Sequence, residues 1–234
     1  METILHRADS RGHANHGWLD AHHSFSFAGY YDPKRMHFGV LRVLNDDRVA
    51  PGMGFGMHPH DNMEIITIVL EGALKHKDNM GNEGILRPGD VQVMSAGTGV
   101  VHSEFNPSRE EPVNLLQIWV FPNKRQVEPR YEQKHYDQRE NGLQLVVAPD
   151  ESDGALWIHQ DAWFSLGQLD EGKSLTYRSR KSGNGSYIFV IKGELSVNGQ
   201  MIGPRDGMGL TDFDEVTVKA EEEAEFLIMD VPQA

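Results

Sequence analysis

Short apolar runs broken by turn residues recur along the whole chain. Phe38–Val43, Glu64–Leu70, Val91–Met94, Leu115–Phe121, Leu143–Val147, Tyr187–Ile191 and Glu225–Met229 are apolar or β-branched stretches bordered by Gly, Pro, Asn or Asp. Runs of this length with such borders read as strands joined by tight turns. Asn79-Met80-Gly81-Asn82 reads as a hairpin connection between two of them. Helical periodicity is scarce. Glu128–Arg139 is a candidate for a short helix, with too few apolar positions to face a core.

The pattern also repeats. Ile68-Val69-Leu70-Glu71-Gly72-Ala73-Leu74 matches Phe189-Val190-Ile191-Lys192-Gly193-Glu194-Leu195, and each is followed by a turn, Pro88-Gly89-Asp90 or Pro204-Arg205-Asp206. Two similar β units, one per half, explain this most simply. The polar stretch from Asn123 to Asn141 separates them, so the expected domains are residues 1–130 and 131–234.

Composition sharpens this picture. Twenty-four glycines and 11 prolines in 234 residues favour an all-β chain over a helical one. A net charge of −13 speaks against direct nucleic-acid binding, which needs clustered Lys and Arg to neutralise phosphates. The absence of cysteine excludes disulfides, thiolate ligands and cysteine nucleophiles, and fits a reducing cytoplasm. No apolar stretch is long enough to span a membrane, and the first residues lack the apolar region of a signal peptide. A soluble, cytoplasmic protein is expected.

The candidate chemistry lies in the first half. Gly52-Met53-Gly54-Phe55-Gly56-Met57-His58-Pro59-His60 places two histidines two apart, on one face of an extended strand. His102-Ser103-Glu104 repeats that spacing after the glycine-rich turn Gly97-Thr98-Gly99. If the two strands face each other across a barrel, three imidazoles and a carboxylate meet at one point, a set that suits Fe, Mn, Ni, Cu or Zn. The plainer reading is that these are ordinary surface or core histidines. Two equally spaced pairs in glycine-rich β context weigh against it. His13, His16, His22 and His23 do not converge on one face by spacing and read as turn and surface residues. His76, between Lys75 and Lys77, reads as exposed or hydrogen-bonded in a barrel wall. Gly54-Phe55-Gly56 lacks the strand-then-helix setting of a phosphate loop, and no Gly-x-Ser-x-Gly elbow occurs.

Gly52-x5-His58-x-His60-x3-Glu64 resembles the first cupin motif, and Gly99-x2-His102-x3-Asn106 the end of the second. In two places the chain departs from those motifs: the glycine after Glu64 comes late, at Gly72, and Gly97 stands in place of the usual proline. Together with Arg11–Leu19, Ser24-Phe25-Ser26-Phe27 and Tyr31-Asp32-Pro33, these departures resemble the pirin family. The resemblance implies a bicupin, two tandem jelly-roll barrels, with one divalent metal in the N-terminal barrel. Carried over residue by residue, its ligands are His58, His60, His102 and Glu104. Fe2+ is the first expectation, with Ni, Cu, Mn, Zn and Co as alternatives.

Many other cupins take their carboxylate from the first motif, which here would be Glu64. Four extended residues separate Glu64 from His60 by about 13 Å, so it would reach the metal only through a bend. Glu104 is therefore favoured, with Glu64 orienting a histidine from behind. In the second half the repeat register puts Ser179, Lys181, Val218 and Ala220 at the four ligand positions, so no metal is expected there.

Three histidines and one carboxylate leave coordination positions open. A redox metal there could bind a substrate oxygen beside O2, with Glu104 also serving as base for a phenolic or enolic hydroxyl. The pirin resemblance implies quercetin 2,3-dioxygenase activity, the opening of a flavonol ring with O2 and release of CO. Its principal rival is a regulator that binds a protein partner and uses metal redox state as a switch. A third reading is a cupin isomerase or hydrolase with the metal as Lewis acid.

Overall fold

Along Glu64–Glu71, Ile66 and Ile68 join one apolar cluster while Ile65 and Val69 join two others. Val113–Val120 divides in the same way, with Leu116 and Ile118 on one side and Leu115 on the other. Successive strand side chains point to opposite faces, so a strand apolar on both is covered on both. In the computed structural model, which describes residues 1–137 and 140–233, these strands are central in a seven-stranded sheet. Its order is Arg130–His135, Asp90–Ser95, Glu64–Glu71, Val113–Val120, Leu41–Val49, Leu19–His23, Gly12–Asn15. One face is closed into a barrel by a four-stranded sheet of Gly54–His60, Val100–Phe105, Leu74–Asp78 and Glu83–Leu86, whose Leu74 and Leu86 pack on Leu115 and Val69.

The second half repeats the plan. Its large sheet runs Glu2–His6, Gly207–Thr211, Asn184–Lys192, Ala224–Pro232, Trp163–Leu169, Gly142–Ala148, Leu156–Trp157, and its small sheet holds Ser174–Arg178, Glu215–Ala220, Leu195–Val197 and Gln200–Ile202. The fold is all-β, two tandem cupin barrels. Their large sheets share one core in which Ile66, Ile68 and Ile118 meet Phe164, Tyr187 and Leu227. The N-terminal strand Glu2–His6 pairs with Gly207–Thr211 and so ties the start of the chain to the second barrel.

The sequence repeat has a steric cause. Gly72 and Gly193 turn the same corner at φ 77° and 74°, and a Cβ on either would sit 2.6 or 2.0 Å from a backbone oxygen. Only glycine fits both demands. The glycine-rich turn before His102 is constrained alike: Gly97 has φ 48°, and its Cβ would lie 2.0 Å from the carbonyl oxygen of Val127. Gly97→Ala should therefore lower stability by about 3 kcal/mol or more, read as a fall in the denaturant midpoint.

Three expectations need correction. The candidate helix Glu128–Arg139 contains instead the strand Arg130–His135, because Asp90–Ser95 offers an edge with which its backbone pairs; Gln138 and Arg139 lie outside the described residues. The first apolar run begins as a strand only at Leu41, since Gly39 at φ 53° breaks the extension after Phe38. In the second barrel Ser179 and Lys181 fall beyond Ser174–Arg178, whose Arg178 and Thr176 pair with Glu215 and Thr217. Val218 and Ala220 are buried in the apolar core of that barrel. Among the described residues, no helix is long and apolar enough to cross a membrane.

Candidate metal centre

Gly54–His60 and Val100–Phe105 run antiparallel, with His102 opposite His58 and Val100 opposite His60. The register then slips, so that Glu104 faces Phe55 and an extra residue bulges at Gly56-Met57. A bulge reverses which side chains face inward. Here it lets Phe55, His58 and His60 all line the same cavity. The nitrogen ligand atoms of His58, His60 and His102 lie within 4.8 Å of one another.

Hydrogen bonds fix which nitrogen His58 and His102 offer. His58 Nδ1 donates to the carbonyl oxygen of Gly56 at 2.7 Å, leaving the Nε2 lone pair available. Behind His102 runs a chain of three groups. Asp78 accepts from His76 Nε2 at 3.3 Å, so the neutral His76 ring has its lone pair on Nδ1, and His102 Nδ1 donates to it at 3.4 Å. His102 Nε2 is thereby left unprotonated, buried and without a partner. Asp78 is itself held by the backbone N–H groups of Met80 and Asn82, in the hairpin turn read from the sequence.

Burial lowers the pKa of His60 to about 4 and of His102 to about 2, with the neighbouring histidines adding to the shift. Neutral imidazoles are the form that binds metals. The orphaned Nε2 of His102, with ring nitrogens of His58 and His60 close by, fits a transition-metal ion, which would remove the cost of that unpaired atom.

Glu104, 3% exposed, lies with His102 and His76 in a second group of ligand atoms within 4.8 Å. Gln117 Nε2 donates to its two carboxylate oxygens at 3.2 and 3.1 Å, and Thr67 Oγ1 stands 3.4 Å away. Burial raises its pKa, opposed in part by Gln117. His58, His60, His102 and Glu104 all line one cavity of about 440 Å³, walled by Trp18, Phe27, Phe55 and Trp119. That volume accommodates a drug-sized aromatic molecule.

Glu64 does not orient a histidine of this cluster. It points the other way, accepting from Ser95 Oγ at 2.7 Å and from the backbone of His159 in the second half. Strand parity explains this: Glu64 shares the face of Ile66 and Ile68, which pack on the second barrel. Burial pushes its carboxyl up to about 7. The folded chain therefore holds a proton that the unfolded chain releases near 4.5, and stability falls as pH rises from there to about 7. Glu64→Gln should abolish that slope and be more stable than the parent by roughly 3 kcal/mol at pH 8, but not at pH 4, in denaturant titrations at both pH values.

Of two other readings, that of His76 as hydrogen-bonded in the barrel wall holds, while His13 and His22 come closer together than their spacing indicates. His76 is fully buried, stacked on Tyr131 at 4.5 Å. Its place was signalled by Leu74, His76 and Asp78 alternating with two lysines, but the inward face became clear only from pairing with Val100–Phe105. His13, Asp20 and His22 do come within 4.8 Å, because the hairpin sets His13 opposite His22. The two rings are stacked 4.4 Å apart at 13°, so their lone pairs lie in parallel planes rather than meeting at a point. His23 is buried and bonded to Asn45, while His16 stays exposed.

Comparison with known proteins identifies relatives over nearly the whole chain. The family described as Pirin matches residues 5–120, and the family described as Quercetinase C-terminal cupin domain matches residues 145–231. The chain is 45% identical over 232 residues to a protein of Escherichia coli (strain K12) named quercetin 2,3-dioxygenase, covering 97% of this chain and 98% of that one. It is 43% identical over 225 residues to a pirin-like protein of Caulobacter vibrioides, covering 95% and 96%. A crystal structure of a bacterial pirin from Escherichia coli in complex with nickel(II) superposes with a TM-score of 0.95 at 43% identity, covering all of both chains.

Proposed function

The chain belongs to the pirin family, and from that premise we propose that it is a metal-dependent dioxygenase that opens the ring of a flavonol such as quercetin with O2 and releases CO. In this reading residues 1–130 form the metal-binding cupin domain and residues 131–234 a second without a metal site. The ligands are His58, His60, His102 and Glu104. The ion is a divalent transition metal: Fe2+ remains the first expectation, and the nickel(II) complex of the Escherichia coli pirin makes Ni2+ a close second.

The bound ion would supply a redox-active point at which a substrate oxygen and O2 meet. The protein's own groups do the rest. Glu104 takes the proton of the flavonol hydroxyl, with Gln117 and Thr67 holding its carboxylate in place. Trp18, Phe55 and Trp119 present aromatic faces to the flat rings and keep water from the reacting atoms.

The observation that carries this reading is the set of three converging imidazoles, one with an orphaned buried Nε2, beside a buried carboxylate in an aromatic-walled cavity. The test is aerobic incubation with quercetin of protein loaded separately with Fe, Ni, Cu and Mn, following flavonol absorbance and CO. Turnover with at least one metal is expected. No turnover with any, at verified occupancy, would contradict the proposal.

A further inference from the structure

Two acids stand side by side in Leu41–Val49, and the chain treats them oppositely. Asp46 is paired with Arg11 at 3.1 Å and with Arg205 of the second half at 3.2 Å, and Asn114 donates to it at 2.9 Å. Arg205 makes its contact from a left-handed backbone conformation at φ 65°. Among the described residues, Asp47 receives no such cation. It is 5% exposed, and its Oδ1 is buried without a hydrogen-bond partner. With Phe27, Asn45 and Phe55 it forms the wall between the metal cavity and a neighbouring cavity of about 570 Å³.

A buried polar oxygen left unpaired costs about 1–3 kcal/mol, and native proteins carry few of them. Nothing in the barrel's packing demands an acid here. Its strand neighbours in register are Leu115 and Ala21, both apolar. Burial, with Asp46 and Glu104 adding repulsion, pushes the carboxyl up to about 8. Its unpaired Oδ1, on the wall of the cavity, can accept a hydrogen bond from a ligand hydroxyl.

Position gives the unpaired group a use. Asn45 pairs in register with Gln117, the residue that holds Glu104, and Asp47 lies two residues further along the same face. That offset is about 7 Å, a distance that two fused six-membered rings span. Building on the flavonol reading above, we propose that Asp47 recognises a phenolic hydroxyl at the end of the substrate remote from the three histidines. The site then takes polyhydroxylated two-ring aromatics, held by oxygens at both ends, and the neighbouring cavity receives the part that extends past Asp47. A site built to bond a hydroxyl rejects analogues that lack it far more strongly than an apolar pocket does.

The test compares quercetin with 3-hydroxyflavone, which keeps the hydroxyl–ketone pair of the central ring but lacks the other hydroxyls. Each is titrated anaerobically into metal-loaded parent, Asp47→Ala and Asp47→Asn proteins, with metal content measured on the same samples. Asp47→Ala should weaken quercetin binding about tenfold or more while leaving 3-hydroxyflavone within about twofold, and Asp47→Asn, which keeps an acceptor oxygen at the same place, should recover most of the loss. Equal weakening of both ligands, no change in either, or loss of metal from the variants would overturn the assignment of Asp47. If the parent binds neither ligand, the flavonol reading itself fails and this proposal falls with it.

Discussion

Replacing His102 with alanine should reduce the metal content of the purified chain about tenfold or more and abolish flavonol oxidation, with only a modest effect on folding. The three imidazoles form a near-equilateral triangle, with His102's ring centroid 4.4 Å from that of His58 and 4.9 Å from that of His60, and those two 4.8 Å apart. His102 is also the histidine that the Asp78–His76 chain aims, and loss of such support behind a metal ligand commonly costs 10–100-fold in metal affinity. Removing the ligand must cost at least as much. Folding is a separate matter. The substitution deletes an unpaired buried Nε2 while opening a small cavity and leaving His76 Nδ1 without its donor. These terms partly offset, giving a loss of about 1–2 kcal/mol in metal-free protein. Elemental analysis reads the first effect. Thermal unfolding with and without added metal reads both, since an ion bound only by the folded chain raises the midpoint. The parent should show that rise and the variant should not.

Glu104→Gln should have a different signature. Glutamine keeps the shape, can accept from Gln117 through its carbonyl, and leaves the three histidines untouched. What it loses is the ability to take a proton, together with the anionic oxygen offered to the ion, so turnover is compared per bound metal. Turnover should fall by about 10²–10⁴-fold, the range of a lost general base, while anaerobic flavonol binding persists. The absorbance of the bound flavonol should show the deprotonated form with the parent and the neutral form with the variant. In metal-free protein the same substitution should raise stability, and more so as pH rises. Burial lifts the pKa of the folded Glu104 above its unfolded value, so the parent loses stability on ionising it and the variant does not. Unchanged turnover would remove Glu104 from the proton-transfer role.

The sequence made much of this site legible because strand periodicity is short-ranged. His58 with His60, and His102 with Glu104, needed only a two-residue repeat to be placed on shared faces. The reason His58 and His60 share the cavity with Phe55 was not legible, since the bulge at Gly56-Met57 exists only relative to the opposite strand. Long-range pairing hid other features too. Arg130–His135 has neither helical nor strand periodicity of its own and is extended because an edge strand lies beside it. Glu64 has the right spacing for a ligand, yet its parity with Ile66 turns it to the second barrel. His76 and Asp78 were visible as alternating positions, but their role depends on His102 arriving behind them from a strand 26 residues away. Asp46 and Asp47 look identical in sequence and differ only in which face of the sheet received the arginines.

The central claim is that one metal ion is shared by three imidazoles and a carboxylate in the first barrel. A crystal structure of protein purified without added metal, with diffraction recorded on both sides of the absorption edge of the element found by analysis, tests it directly. The account predicts a single anomalous peak about 2.1 Å from one nitrogen of each of His58, His60 and His102 and in bonding contact with a Glu104 oxygen. A peak at His13, Asp20 and His22 instead, or a bound ion that His102 or Glu104 does not touch, would contradict it.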